Sequence, residues 1–384
     1  MKRLVAMLLA ASALSGAFAM DFGLSVGLSP RLTQDGFSFS GGLTPWLSAM
    51  PAGPESELYF SALVSIDYGD EAWTYSIEPQ RFDVLFRPAP GTSIRVGRQA
   101  WSDSAGLVAS GFFDGFTAQT LWGRARISLA SLYTGLMLKG SSNVLMSNAD
   151  LADRDDGSVG FAPARSVMAL TMSVPGAVSF FADTIAQFDA RGAGALNSQY
   201  LGLGLRADLG PALSLELSGV NALVEPEDSD PAYSLALKAG LSWLIQGGPA
   251  DRLYIDLRYA SGRQGILSPY LSVSMLPPGR VFTARLAGLA SVKGGYSVRL
   301  AERLSFDLHA ALFARSADGG PADSGLDPSS DSTWLGSEYF ASLRWAPLSD
   351  LNLFAASGFF LPGKAYLKDE PVRWSAALSV IVSM

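Results

Sequence analysis

The sequence predicts an all-β fold, a transmembrane up-and-down antiparallel β-barrel. Three observations carry that prediction: 48% apolar against only 16% charged residues, no uninterrupted apolar helix-length segment after the first 19 residues, and apolar–polar alternation of period two. Soluble domains carry roughly 25% charged residues; this chain falls well below that, with a mean hydropathy of +0.23. A bilayer crossing without helices must close on itself, because every backbone N–H and C=O needs a partner where lipid offers none.

The first element is a leader. Met1-Lys2-Arg3 gives a positive start, Leu4 to Leu14 an apolar run, and Ala17-Phe18-Ala19 small residues at the −3 and −1 positions before Met20. The apolar run is too short for a span of about 20 residues and breaks at Ser15-Gly16. Residues 1–19 are therefore expected to be a cleaved signal peptide and 20–384 the barrel; removal shifts the net charge from −7 to −9. The later run Ser166 to Ala182 is interrupted by Pro175-Gly176 and polar residues and does not read as a span.

After the leader the alternation recurs. Leu58, Phe60, Ala62, Val64, Ile66 and Tyr68 alternate with Glu57, Tyr59, Ser61, Leu63, Ser65 and Asp67, and Leu253, Ile255, Leu257 and Tyr259 with Arg252, Tyr254, Asp256 and Arg258. Lipid outside and water inside account for both faces. In order, strands are expected at 21–29, 37–47, 57–68, 72–87, 93–101, 112–121, 124–137, 164–174, 178–190, 198–209, 213–223, 232–246, 252–261, 281–300, 304–315, 335–346, 351–361 and 372–383. That makes about 18; 16 stays open because 261–303 reads as one long strand or as shorter pieces including Tyr270 to Leu276. Parity slips between Ile77 and Phe82, which predicts a bulge around Pro79. Short turns such as Pro88 to Gly91, Trp122-Gly123, Gly247-Gly248-Pro249 and Pro347 to Asp350 alternate with long polar stretches at 140–163, 224–231, 261–279, 316–333 and 362–371. Trp46, Trp101, Trp122, Trp334, Trp345, Tyr68 and Tyr259 fall near strand ends and are expected in the two interfacial girdles.

Composition removes whole classes of chemistry. With no cysteine there is no disulfide, thiolate nucleophile or Cys-held metal, and one histidine, His309, excludes sites that need two. His309 beside Asp307 has no nucleophile motif near it, since Ser110-Gly111 lacks the glycine that a nucleophile elbow requires, so no enzyme is expected. Catalytic and metal sites are expected to be absent, as are cofactors and a nucleic-acid partner. The acids Asp150, Asp153, Asp155, Asp156, Glu225, Glu227, Asp228, Asp230, Asp318, Asp323, Asp327 and Asp331 lie in long loops; without calcium-loop spacing they read as a solvated surface.

The residues that carry function are expected on the inner face. Arg81, Arg87, Arg95, Arg124 and Arg126 gather there with Asp83 and Gln99, and clustered guanidiniums bind carboxylates and phosphates. The alternative, that they pair with inward acids such as Asp67 and Asp83 and only stiffen the wall, stays open. Later inward positions carry Asp183, Asp189, Glu216, Asp256, Arg258, Arg285, Asp307 and Glu338, a mixed or acidic wall. The loop Ser102 to Gly111, with apolar Leu107 and Val108, reads equally well as an inward constriction or as a strand extension.

The last strand, Val372 to Met384, is similar to the terminal strand of outer-membrane porins, although Met384 stands where that family usually has an aromatic residue. Ile94-Arg95-Val96-Gly97-Arg98-Gln99, then Asp103, Gly106-Leu107, Gly111 and Asp114-Gly115, resembles a strand, loop and returning strand of alginate-export and related substrate-specific porins. The resemblance implies passive diffusion of small polar solutes through a water-filled lumen in the outer membrane, to which the inward arginines add an expected preference for anions. Lipid and the barrel-assembly machinery are then its further partners. A structural or adhesive surface barrel with binding loops is the alternative.

Overall fold

The computed structural model describes residues 19–69, 71–156, 158–191, 194–227, 229–245, 250–317, 321 and 323–384. The expected leader up to Phe18, the turn Gly247-Gly248-Pro249 and the loop acids Asp228 and Asp318 lie outside them. Eighteen antiparallel strands form one closed sheet: β1 (Ala19–Thr33), β2 (Gly36–Pro54), β3 (Ser56–Gly69), β4 (Ala72–Ala89), β5 (Thr92–Ser102), β6 (Ser110–Trp122), β7 (Ala125–Tyr133), β8 (Arg165–Val174), β9 (Val178–Asp189), β10 (Leu196–Asp208), β11 (Leu213–Pro226), β12 (Ala232–Ile245), β13 (Asp251–Ala260), β14 (Leu289–Ala301), β15 (Leu304–Arg315), β16 (Trp334–Trp345), β17 (Leu351–Pro362) and β18 (Arg373–Ser383). Consecutive strands pair, and β18 returns to β1, with Ser25 opposite Ser383 and Thr33 opposite Ser375. The count of 18 holds and 16 does not.

Side-chain direction follows the alternation. Along β3 the outward Phe60 and Val64 are exposed while the inward Ser61 and Ser65 are buried, so the apolar row faces lipid. The bulge is where the parity slip put it: Ser61 pairs with Arg81 but Ala62 with Pro79, leaving Gln80 without an opposite residue. Short and long connections also sort to opposite ends. One to five residues join the strands at the end holding the Pro90-Gly91 and Gly123-Arg124 turns, while the 134–164, 261–288 and 316–333 connections share the other.

The wall departs from expectation in three places. The strand expected at 124–137 ends at Tyr133, because Thr134 donates its Oγ1–H to the Pro163 carbonyl and the chain leaves the ladder. The strand expected at 281–300 begins only at Leu289, because 261–288 turns into the barrel. The ladder between β4 and β5 runs only from Phe82 opposite Arg98 to Ala89 opposite Thr92, so β4 above Phe82 is bonded to β3 alone. Register also corrects two girdle residues. Trp46 stands opposite Ser61 in the inward row, and Trp101 packs edge-on at 6.0 Å to the buried Phe113. Trp122, Trp334, Trp345 and Tyr68 keep to the outside; Trp122, Trp334 and Trp345 are exposed, and Tyr68 packs 4.9 Å from Trp73.

The core of this barrel lies within it. At the long-loop end the 103–109, 134–164 and 261–288 connections fold inward, and Leu107, Val108, Val144, Met146, Tyr270, Val273 and Phe282 pack against Ile185, Tyr200, Phe313 and Phe360 of the wall. The 134–164 connection contains one helix, α1 (Asn148–Asp155). Its N-terminus is closed reciprocally: Ser147 Oγ accepts from Asp150 N at 3.1 Å and the Asp150 carboxylate accepts from Ser147 N at 2.9 Å.

Candidate functional site

The candidate site is the lumen, and the inward loops define its outer end. The 103–109 loop is folded around one carboxylate: Asp103 accepts from Leu107 N at 3.1 Å, Val108 N at 3.0 Å and Ala109 N at 2.8 Å. Asp183 of β9, three strands along the wall from β6, accepts from Ser104 N and Oγ at 2.8 and 2.9 Å. Of the two readings of Ser102 to Gly111, inward folding is the observed one. The 261–288 loop closes onto it: Tyr270 donates its hydroxyl to Leu107 O at 2.9 Å, and Val273 N donates to Val108 O at 2.8 Å. Burial pushes the Tyr270 hydroxyl well above its ordinary pKa, so it stays a donor.

A second carboxylate holds the far limb of the 261–288 loop. Glu338 of β16, fully buried, accepts from Arg280 N, Val281 N and Phe282 N at 2.7 to 3.0 Å. Next to this nest the Phe282 ring lies 4.5 Å from Phe313 and 4.9 Å from Phe360. The 134–164 loop is tied by charge. Arg165, with no exposed side-chain surface, reaches Asp150 of α1 at 3.1 Å and Asp189 at 3.2 Å, and Arg191 joins both acids. Burial alone would raise the Asp150 pKa, but the Ser147 N–H and the guanidiniums of Arg165 and Arg191 outweigh it and hold the carboxyl below its usual value. This corrects the solvated reading of the loop acids at two positions: Asp150 is fully buried, and Asp323 is paired with Arg373 at 2.8 Å.

The expected arginine wall is brought together in part. Arg81 and Arg95 both reach Asp83, Arg95 at 2.8 Å, and Arg81 also lies over the Tyr59 ring at 4.3 Å. Two guanidiniums, each about 30% exposed, thus share one carboxylate that is only 2% exposed, which leaves net positive charge toward the lumen. Gly97, opposite Asp83, has a φ of +121°, and a Cβ there would collide with the Phe82 carbonyl. Gln99 accepts from Thr117 Oγ1 at 2.8 Å on the same face. Arg87 is inward but near the short-turn end, 3.6 Å from Glu57; Arg126 lies at that rim, and Arg124 sits in the turn before β7 rather than on the wall.

The second half of the wall is where expectation and structure part. Its acids are largely engaged: Asp183 and Glu338 by loop N–H groups, Asp189 by Arg165 and Arg191, Glu216 by Lys238 at 2.8 Å and Asp256 by Lys293 at 3.4 Å. Arg258 stands in the inward row between Lys238 and Ser291, and Arg285 binds Met146 O and Ser147 O at 2.8 Å. What the lumen presents is a cavity of about 800 Å³ lined by Arg31, Arg252, Arg280, Lys293, Arg299 and Arg344, with Asp307 as its one carboxylate. The wall expected there to be mixed or acidic carries both signs, and the lining of this one cavity is basic. Arg299 and Arg344 stand opposite Ser305, on the same inward row, so parity alone could have found them.

Sequence reasoning also missed Arg98, which falls on the outward parity of β5. It pairs with Asp114 through Nε at 2.9 Å and Nη2 at 3.0 Å, reaches Glu78 at 3.1 Å, and donates to the carbonyls of Pro79 at 2.6 Å and Leu136 at 3.0 Å. Arg98 closes the gap between β4 and β5, and Glu78, accepting from Leu138 N at 2.9 Å, seats the 134–164 loop in it.

No family model and no curated protein matches this sequence. Solved structures do. The structure of Pseudomonas aeruginosa OccK5 (OpdH) matches with a TM-score of 0.67 at 10% identity, over 95% of this chain and 98% of that one. P. aeruginosa OccK11 (OpdR) matches at 0.63 and 14% identity, over 95% and 96%. P. aeruginosa OpdK, solved with vanillate, matches at 0.64 and 10% identity, over 95% and 98%. The chain shares their fold. The porin resemblance read from Ile94 to Gly115 and from the last strand thus extends, as fold, over nearly the whole chain.

Proposed function

We propose that this barrel is an outer-membrane channel for passive diffusion of small anionic solutes, carboxylates foremost. The observation that carries the reading is the cavity of about 800 Å³ whose lining holds six cationic side chains, Lys293 among them already paired with Asp256, and one carboxylate. Cations crowded in a narrow space between low-dielectric walls concentrate counter-ions and repel cations. The Arg81–Arg95–Asp83 group extends the same sign to the opposite wall. Aromatic Tyr254, Phe340 and Phe354 also line the cavity and give apolar surface for the body of an organic anion. Vanillate, an aromatic carboxylate, is present in the solved OpdK structure. In this reading residues 1–19 direct export and are removed, the assembly machinery inserts the barrel, and the long loops face outward.

A second reading, a surface barrel with a plugged lumen, draws on the apolar packing of the three inward loops. Conductance in a planar bilayer separates the two. The channel reading predicts discrete ion-conducting steps that millimolar vanillate or benzoate partly blocks. A reconstituted barrel that carries no current would leave only the plugged one.

A further inference from the structure

His309 is the chain's single histidine, and with no cysteine present it is the one side chain whose ordinary pKa falls between pH 5 and 8. It lines the basic cavity. Its Nδ1 lies 3.4 Å from Asp307 and its Nε2 3.5 Å from Glu338, and its ring stacks on Phe340 at 5.2 Å. A neutral imidazole donates from only one nitrogen, so it can serve one of these carboxylates; an imidazolium donates to both.

Groups of both signs face it. Asp307 on its own strand and Glu338 on β16 face the ring as acceptors and anions. Arg252 on β13, Lys293 and Arg299 on β14, Arg344 on β16 and Arg280 on the inward loop are the cations that line the same cavity. Tyr254 on β13 directs its hydroxyl at Asp307, 3.4 Å away.

Resting on the channel reading above, we propose that His309 is a selectivity-determining residue whose protonation adds a further cation to the cavity and raises its preference for anionic solutes. Glu338 keeps its hold on the inward loop in either state. Its Oε2 accepts from Val281 N and Phe282 N, while Oε1 is the atom nearest the imidazole.

The test is the reversal potential of the reconstituted full-length barrel in a potassium chloride gradient at pH 7.5 and 5.5. A unit charge about 8 Å from the ion path in a water-like dielectric changes counter-ion occupancy by about twofold. The chloride-to-potassium permeability ratio of wild type should therefore rise by at least about twofold on acidification. His309→Gln should keep the high-pH ratio at both values. Asp307→Asn, which removes the cavity's one carboxylate, should raise the chloride-to-potassium ratio at both pH values and leave the rise on acidification in place. A wild-type ratio that is equal at the two pH values, or a rise that survives in His309→Gln, overturns this inference while leaving anion preference intact. Potassium preference at both pH values overturns the channel's anionic reading and this inference with it.

Discussion

Replacing Glu338 by alanine should release the 261–288 loop from the wall. Glu338 is fully buried and is the acceptor for three consecutive N–H groups, those of Arg280, Val281 and Phe282. A buried donor left without an acceptor costs about 1–3 kcal/mol. The adjacent cavity lets water reach part of the vacated nest, which brings three such donors to about 3 kcal/mol at the lower bound. At about 1.4 kcal/mol per factor of ten, the detached loop becomes roughly 100-fold more populated. Glu338→Gln keeps an acceptor oxygen and loses only the charge, so it should fall between wild type and alanine. The assays are tryptic cleavage after Arg280 and Arg285 in the folded, detergent-solubilised barrel, and single-channel conductance. Alanine should be cut faster and conduct more. Equal protease resistance and equal conductance in all three proteins would refute the reasoning and assign the loop's position to Phe282, wedged between Phe313 and Phe360.

Ile255→Arg, in the exposed row of β13, should cost about 2–4 kcal/mol of folding stability near the bilayer midplane, whereas Ser65→Arg on the inner face should cost less; equilibrium unfolding in lipid vesicles measures both, and equal costs would mean that the faces are misassigned. Arg165→Met should cost about 3 kcal/mol, the lower end for a broken buried pair, because Asp150 and Asp189 lose their buried cation but keep Arg191. Because the folded Asp150 carboxyl titrates below its ordinary value, its contribution is complete above about pH 4 and is lost as pH falls through the folded value. Hydrogen exchange of α1 amides should accordingly be flat from pH 7 to 5, after correction for intrinsic rates, and rise only in stronger acid.

The strand count, the facing of nearly every strand and the sorting of turns from long loops were legible because lipid enforces alternation on each strand by itself. Phe60 and Ser61 reveal their faces without reference to any neighbour. What the sequence did not disclose depends on contacts between distant segments. Tyr270 to Leu276 looks like strand because it is apolar, yet its burial comes from Leu107 and Val108, more than 160 positions away, and not from lipid. Trp46 and Trp101 carry the composition of a girdle, but only register shows that they turn inward. The charge that the second wall shows the lumen also depends on distant contacts. Glu338, Asp183 and Asp189 read by parity as lumen charge, yet loop N–H groups and the buried Arg165 engage them. Arg299 and Arg344, both opposite Ser305, are legible by parity alone.

The central claim is that cationic side chains lining the lumen select anions, and reversal potentials in a potassium chloride gradient at neutral pH test it most directly. Wild type should prefer chloride, more strongly at 0.05 M than at 1 M salt, where the screening length shrinks to about 3 Å. Changing Arg252, Arg299 and Arg344 together to serine should abolish most of that preference, and changing Arg81 and Arg95 should remove a smaller share, since these two already share Asp83. Potassium preference in wild type, or unchanged selectivity in the triple variant, would contradict the account.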